Sequence, residues 1–335
     1  MKLGILKEFN NKHNHYVDAC KELNIDYEVI DISSDNWIDI IKSSNCDGFL
    51  VRPSCDKQDW KNMFDERLYY ITKFMGKKIY PSYDACYIYE SKNRMYYWLE
   101  VNGFPHVDTH VFYTKESALK FLKECDYPLV FKPNLGSSCV GIKFINNYND
   151  GKKIVNKAFP FKGLGRGLIK KHKTRYKFIK RPAYDDRQYN YVMFQKKEDV
   201  VAEWRIIKIG DSYFGHQKLI DDKGFHSGAG IGAIWRKPPK KLLKLCDDIC
   251  VQGKFNSMAC DIFETKDGKF YVNELQTTFG SYCETQMIIN NKPGRYVKKD
   301  GDFVFEQGIF NRHGSYLLRV EDFVKELIQD EERKK

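Results

Sequence analysis

The sequence predicts an α/β protein with an N-terminal domain on a parallel sheet, a small middle domain and a C-terminal domain on an antiparallel sheet. Three observations carry this. Short apolar runs alternate with helix-like stretches over residues 1–85, as a parallel sheet covered by helices requires. A strand, a Gly/Ser-rich loop and a second strand follow mid-chain. Two hairpin patterns, turning at Gly210-Asp211 and Asp267-Gly268, follow in the C-terminal part.

In chain order, 3–6, 27–32, 48–51 and 78–80 read as strands, with helices over 13–23, 37–41 and 59–75. Gly76 ends the last helix and Pro81 stops the last strand. A helix is expected over 90–101, closed by Asn102-Gly103, and another over 115–125. The apolar run 128–133 leads into the loop 134–141 and a strand over 141–145. This is not the strand–loop–helix order of a Walker P-loop. Strand 189–194, the hairpin 200–216, a helix over 240–252, the hairpin 258–274 and a closing helix over 321–328 complete the reading. The expected domains are 1–85, 86–195 and 196–335.

Composition narrows the class. Apolar and aromatic content suits a globular chain of 335 residues, and no stretch reaches the length of a membrane span. The N-terminal apolar run is too short for a signal-peptide core, so a soluble, cytoplasmic protein is expected. Ten cysteines are scattered, as in a reducing compartment. Cys246 and Cys250 share a helical face and read as core packing rather than as zinc ligands. The net charge of +11 points to an anionic partner, a nucleotide or a nucleic acid, without choosing between them.

The second hairpin carries the first chemical argument. If Asp267-Gly268 is a two-residue type I′ turn, Phe263 faces Val272 and Asp261 faces Glu274. Asp261, Phe263, Phe270, Val272 and Glu274 then share one face. Two carboxylates opposed on an otherwise apolar face repel each other, and a divalent cation resolves the conflict. Mg²⁺ takes such oxygen ligands and bridges to phosphates. Gln276 adds an amide oxygen on the same face. On this argument, replacing both carboxylates by Ala leaves the fold intact or stabilises it. The other reading is a hairpin end with solvated or Lys/Arg-paired carboxylates. Lys132 before Gly136, Ser137, Ser138 and Gly141 forms the second element, because glycines let backbone N–H groups converge on an anion.

Taken in order, Lys92, the 128–133 run with its loop, Phe194-Gln195, Glu203-Trp204-Arg205, Asp261-Ile262-Phe263 and Asn273-Glu274-Leu275-Gln276 resemble the ATP-grasp superfamily over residues 85–285. The resemblance implies that fold, with ATP and Mg²⁺ as cofactors. It implies that Lys92 and Lys132 contact phosphates and that Gly136, Ser137 and Ser138 belong to a loop closing over them. Phe194, Gln195 and Lys196 match the hinge that reads adenine through backbone groups, and Glu203 the acidic position for ribose hydroxyls. Arg205 matches a basic position facing the γ-phosphate, with Lys218 where many relatives have Arg. Asp261 and Glu274 match the Mg²⁺ carboxylates, and Gln276 stands where the family usually has Asn.

The implied function is a ligase that phosphorylates a small-molecule carboxylate and couples the acyl phosphate to an amine, releasing ADP and phosphate. Two alternatives keep the site: a kinase acting on a hydroxyl or amide, and a nucleotide-dependent protein that binds an anionic polymer. The basic segment 162–181, with Arg166, Lys170, Lys171, Lys173 and Arg175, serves either as a landing site for an anionic acceptor or as a solvated surface. The solvated reading is favoured for a small substrate. The segments around Arg52, the loop 226–232 and residues 279–313 are expected to set acceptor specificity.

Overall fold

The computed structural model describes residues 1–136, 141–159, 190–218, 233–279 and 285–333. They form two compact units, one from 1–106 and 199–333 and the other from 107–136, 141–159 and 190–198.

In the first unit, β1 (Lys2–Leu6), β2 (Asp26–Ile30), β3 (Gly48–Leu50) and β4 (Ile79–Tyr80) make a parallel sheet in the order β2-β1-β3-β4. Helices α1 (Asn14–Glu22), α2 (Trp37–Ser43), α3 (Gln58–Lys73), α4 (Tyr83–Ile88) and α5 (Lys92–Val101) accompany it. Alternation along β1 and β3 feeds two apolar layers. Leu6 and Phe49 pack with Ile41 of α2 and with Phe64, Leu68 and Ile71 of α3. Leu3, Ile5 and Leu50 pack with Tyr16, Ala19 and Cys20 of α1 and with Val320, Phe323 and Leu327 of the C-terminal helix, Tyr316–Glu332. That helix is longer than the 321–328 expected. The helix expected from residue 90 starts at Lys92, preceded by the separate turn of α4.

The second unit is the antiparallel sheet β5-β8-β6-β7, from β5 (Thr109–Phe112), β6 (Leu129–Phe131), β7 (Lys143–Ile145) and β8 (Val192–Lys196). Helices α6 (Lys115–Glu124) and α7 (Tyr148–Ala158) supply its core through Ala118, Leu122, Ile154 and Val155. Helix α7 was not anticipated. Its signal is Asn147, whose side chain accepts the backbone N–H of Asp150 as an N-cap.

Returning to the first unit, β9 (Val200–Ile209), β10 (Ser212–Lys218), β12 (Ser257–Thr265), β13 (Phe270–Gln276), β14 (Ile288–Ile289) and β15 (Lys292–Lys299) order as β13-β12-β9-β10-β15-β14. The strands β11 (Ala233–Ile234) and β16 (Asp302–Gln307) pair with β10 and β15. Helix α8 (Lys240–Gly253) lies on one face. The β15–β16 hairpin was also unanticipated, although Asp300-Gly301, with φ of 50° and 84°, is a favoured hairpin turn.

The β12–β13 hairpin corrects its expected geometry. Thr265 N–H donates to Lys269 O and Gly268 N–H to Thr265 O, so the loop has three residues, with Gly268 at φ 78°. Pairs near the turn are therefore Ile262–Val272 and Phe263–Tyr271. A bulge between Asp261 and Ile262 then shifts the register, and Asp261 does face Glu274. Two one-residue departures cancel.

Candidate active site

Residues paired across adjacent strands point to the same side of a sheet. Asp261 is paired with Arg205 on β9 and with Glu274 on β13, and Arg205 with His216 on β10. One row away, Glu203 is paired with Phe263 and with Lys218. The alternate residues Trp204, Ile206, Cys260, Ile262, Val272 and Leu275 face α8 and form its core with Cys246 and Cys250. Phe270 and Val272 belong to that core face, because the bulge moves them off the Asp261 side. The site face is thus not the apolar surface that the simple register implied.

Asp261 is fully buried. Arg205 donates Nε to its Oδ1 at 2.8 Å and Nη2 to its Oδ2 at 2.9 Å. Lys218 Nζ donates to Oδ2 at 2.5 Å and to Glu203 Oε1 at 3.0 Å. Burial alone would raise the Asp261 pKa; Arg205 and then Lys218 outweigh it and hold the carboxyl below the usual range. The same contacts raise the pKa of Lys218 against the effect of burial. Asn273, the extra residue of the bulge, donates Nδ2 to Glu203 Oε1 at 3.4 Å. Glu274 pairs with Lys92 at 3.5 Å, at the N-terminus of α5. Gln276 Oε1 accepts from Arg205 Nη2 at 3.3 Å. Burial pushes His216 down to about 4, so its ring is neutral at pH 7, with Nδ1 at 2.9 Å from the Gln286 carbonyl.

Carboxylate repulsion is therefore not what calls for a cation here: Arg205 and Lys218 already neutralise Asp261. The donor set still fits Mg²⁺. Glu274 and Gln276 offer hard oxygens, and an Asp261 carboxylate taking three hydrogen bonds keeps a lone pair. Among the described residues, no cluster of three or more His, Cys, Asp or Glu side chains forms a metal site.

The remaining sequence-predicted residues that the structure describes lie in the second unit. Lys132 follows β6 and is buried, with its N–H donated to Met193 O at 3.3 Å. Phe194 is buried between His110 and Phe131 as β-sheet partners. Gln195 Nε2 donates to Thr109 Oγ1 at 2.9 Å. The N–H groups of Lys196 and Lys197 are taken by Asp108 O and Pro128 O. Gly136 and Gly141 have φ of 138° and 79°, and a Cβ on Gly141 would meet Pro133 Cγ at 3.1 Å. Ser137, Ser138, the basic segment 162–181 and the loop 226–232 lie outside the described residues.

One buried carboxylate beside the site was missed. Glu90 stands between α4 and α5 with φ 52° and is 6% exposed. Burial, then Glu274, push its pKa up to about 7, against Lys92 and Arg52. Ser91 was the available signal: as an N-cap it starts α5 at Lys92 and leaves Glu90 outside the helix.

No family model matches the chain. A D-alanine–D-alanine ligase of Thermosipho africanus is 26% identical over 201 residues, 56% of this chain and 50% of that protein. The chain thus matches about half the length of that relative. A D-cycloserine synthetase structure, DcsG, aligns at TM-score 0.60 with 12% identity, covering 98% of this chain and 100% of the other. A RimK domain ATP-grasp protein of Sphaerobacter thermophilus aligns at TM-score 0.53 with 12% identity, covering 82% and 90%. Among the described residues, no helix is long and apolar enough to cross a membrane. With a parallel sheet, a small antiparallel sheet unit and a large antiparallel sheet bearing the charged face, the chain has the fold of these ATP-grasp structures.

Proposed function

We propose that this protein is an ATP-dependent ligase that phosphorylates a substrate carboxylate and couples the acyl phosphate to an amine. The observation that carries the reading is the buried Arg205–Asp261–Lys218 cluster beside Glu274 and Lys92. It holds cations at fixed positions, as transfer of a phosphoryl group demands. The similarity to a D-alanine–D-alanine ligase supports the same class. Mg²⁺ held by Glu274 and Gln276, with Asp261, would neutralise phosphate charge.

Each side chain then has a task. Arg205 and Lys218 orient Asp261 and add positive charge where phosphate oxygens come to lie. Lys92 does so from the start of α5. His216, neutral and half-buried, holds the Gln286 main chain through its Nδ1. Among these residues no Ser or Cys is paired with a His as a nucleophile requires, so activation falls on the substrate.

The test is isotopic. With heavy oxygen in the substrate carboxylate, one label is expected in released phosphate, and hydroxylamine is expected to trap a hydroxamate. Label retained wholly in product, with phosphate on a hydroxyl or amide, replaces the ligase with a kinase. The substrates are to be found by ADP release against paired acids and amines.

A further inference from the structure

Gln276 is the last residue of β13, and its pairing with Ala259 closes the β12–β13 ladder. A chain end beyond the last ladder pair frays unless other bonds hold it. Here side chains take over where the ladder stops. Thr277 Oγ1 donates to Ser257 O at 2.7 Å, and Ser257 Oγ donates to Thr277 O at 2.9 Å. Both residues are fully buried.

The C-terminal helix completes the arrangement. Its Arg319 is fully buried and donates Nε to Ser257 Oγ at 3.1 Å. A hydroxyl carries one proton. With Arg319 donating to the oxygen, that proton is directed to Thr277 O. The guanidinium is otherwise covered by aromatic faces: its Cζ lies 4.5 Å from the ring centre of Phe279 and 4.8 Å from that of Tyr316. Nη1 and Nη2 have no hydrogen-bond partner, and among the described residues Arg319 has no carboxylate partner.

A buried cation without an anion costs the fold free energy, and an apolar side chain of similar length between the same rings costs less. Stability therefore does not explain an arginine at this position. Its single hydrogen bond, to the hydroxyl that holds the residue after Gln276, does.

We propose that Arg319 is a positioning residue for the metal site. Through Ser257 and Thr277 it fixes the end of β13, and with it the carboxamide of Gln276. Phe279, stacked on the same guanidinium, holds the chain on the far side of Thr277. Arg319 is not itself a ligand. The inference rests on the ligase reading in one respect, that Gln276 is among the residues that would hold Mg²⁺.

The experiment is calorimetric titration of the full chain with ADP, with and without Mg²⁺, beside urea unfolding without either. The ratio of the two ADP affinities reads how well the site takes the metal. In Arg319→Met that ratio is expected to fall about tenfold, the range for residues that orient metal ligands. ADP affinity without metal should stay as in the parent, and the urea midpoint should be unchanged or higher. Ser257→Ala breaks the same link and strands Arg319, so it should lower the ratio equally and lower the urea midpoint as well. Because both act through one path, combining them should lower the ratio no further. Ser257→Ala carries the test should Arg319→Met fail to fold. A ratio unchanged in the folded variants, or the two losses adding in full, overturns the positioning role. A fall in the ratio for Gln276→Leu but not for Arg319→Met or Ser257→Ala overturns it too, and leaves the metal reading standing. ADP affinity indifferent to Mg²⁺ in the parent removes that reading and this inference with it.

Discussion

Removing the Asp261 side chain would strand two cations inside the protein. Arg205 is 9% exposed and Lys218 shares the same carboxylate, so Asp261→Ala leaves buried charge without its partner. We expect a loss of about 3–5 kcal/mol in urea unfolding, together with loss of turnover. This reverses the expectation from register alone, that removing an unpartnered carboxylate would be harmless. Glu274→Ala should differ. Its pairing with Lys92 is longer and partly exposed, so a loss of about 1 kcal/mol or less is expected while turnover is abolished. Equal destabilisation by the two changes would remove the distinction between a clamped and an available carboxylate. The folded Asp261 pKa lies below its unfolded value. Its contribution is therefore present at neutral pH and is lost only in strongly acid solution.

The C-terminal helix ties its sheets through polar groups whose protonation can be read. Asp322 Oδ2 accepts from Tyr80 OH at 2.8 Å, and Asn256 Nδ2 donates to Glu326 at 3.2 Å. Burial pushes Asp322 up to about 7, with Glu326 and Asp211 adding to it against the Tyr80 hydrogen bond. A folded pKa above the unfolded one means the native state binds more protons between about pH 4 and 7. Stability should therefore fall as pH rises through that window and stay lower above it. Asp322→Asn keeps an oxygen for Tyr80 and removes the charge. It should be more stable than the parent at pH 8, by at most about 4 kcal/mol, and nearly equal to it below pH 4. Thermal melting across this range checks it, and parallel profiles for the two proteins would contradict the assignment.

At the scale of the whole molecule, the excess of positive charge includes the stretch 162–181. We propose that it is a solvated surface and that the substrates are small. Neutralising Lys170, Lys171, Lys173 and Arg175 together should then change KM by about twofold or less at physiological salt. An anionic polymer acceptor predicts otherwise: KM should rise, and the steep salt dependence of the parent should flatten as fewer counterions are released. Measuring KM against salt for both proteins separates the two.

What the sequence by itself determined was local in origin. Alternating apolar residues set the strands of both large sheets, Gly210-Asp211 set the β9–β10 turn, and the ordered motifs pointed to the ATP-grasp fold. The Asp261–Glu274 pairing was legible too, though through a turn and a bulge that offset each other. Only the tertiary structure decided that Arg205, 56 residues before Asp261, would neutralise it, because the β9–β12 register is set by packing of Trp204, Ile206 and Ile262 within the core beneath α8. It alone brought the C-terminal helix onto the first strands, and it held Glu90 in a left-handed turn between α4 and α5. Propensity acts over a few residues. Partners across a sheet are chosen by burial shared among distant segments, and no local pattern contains that information.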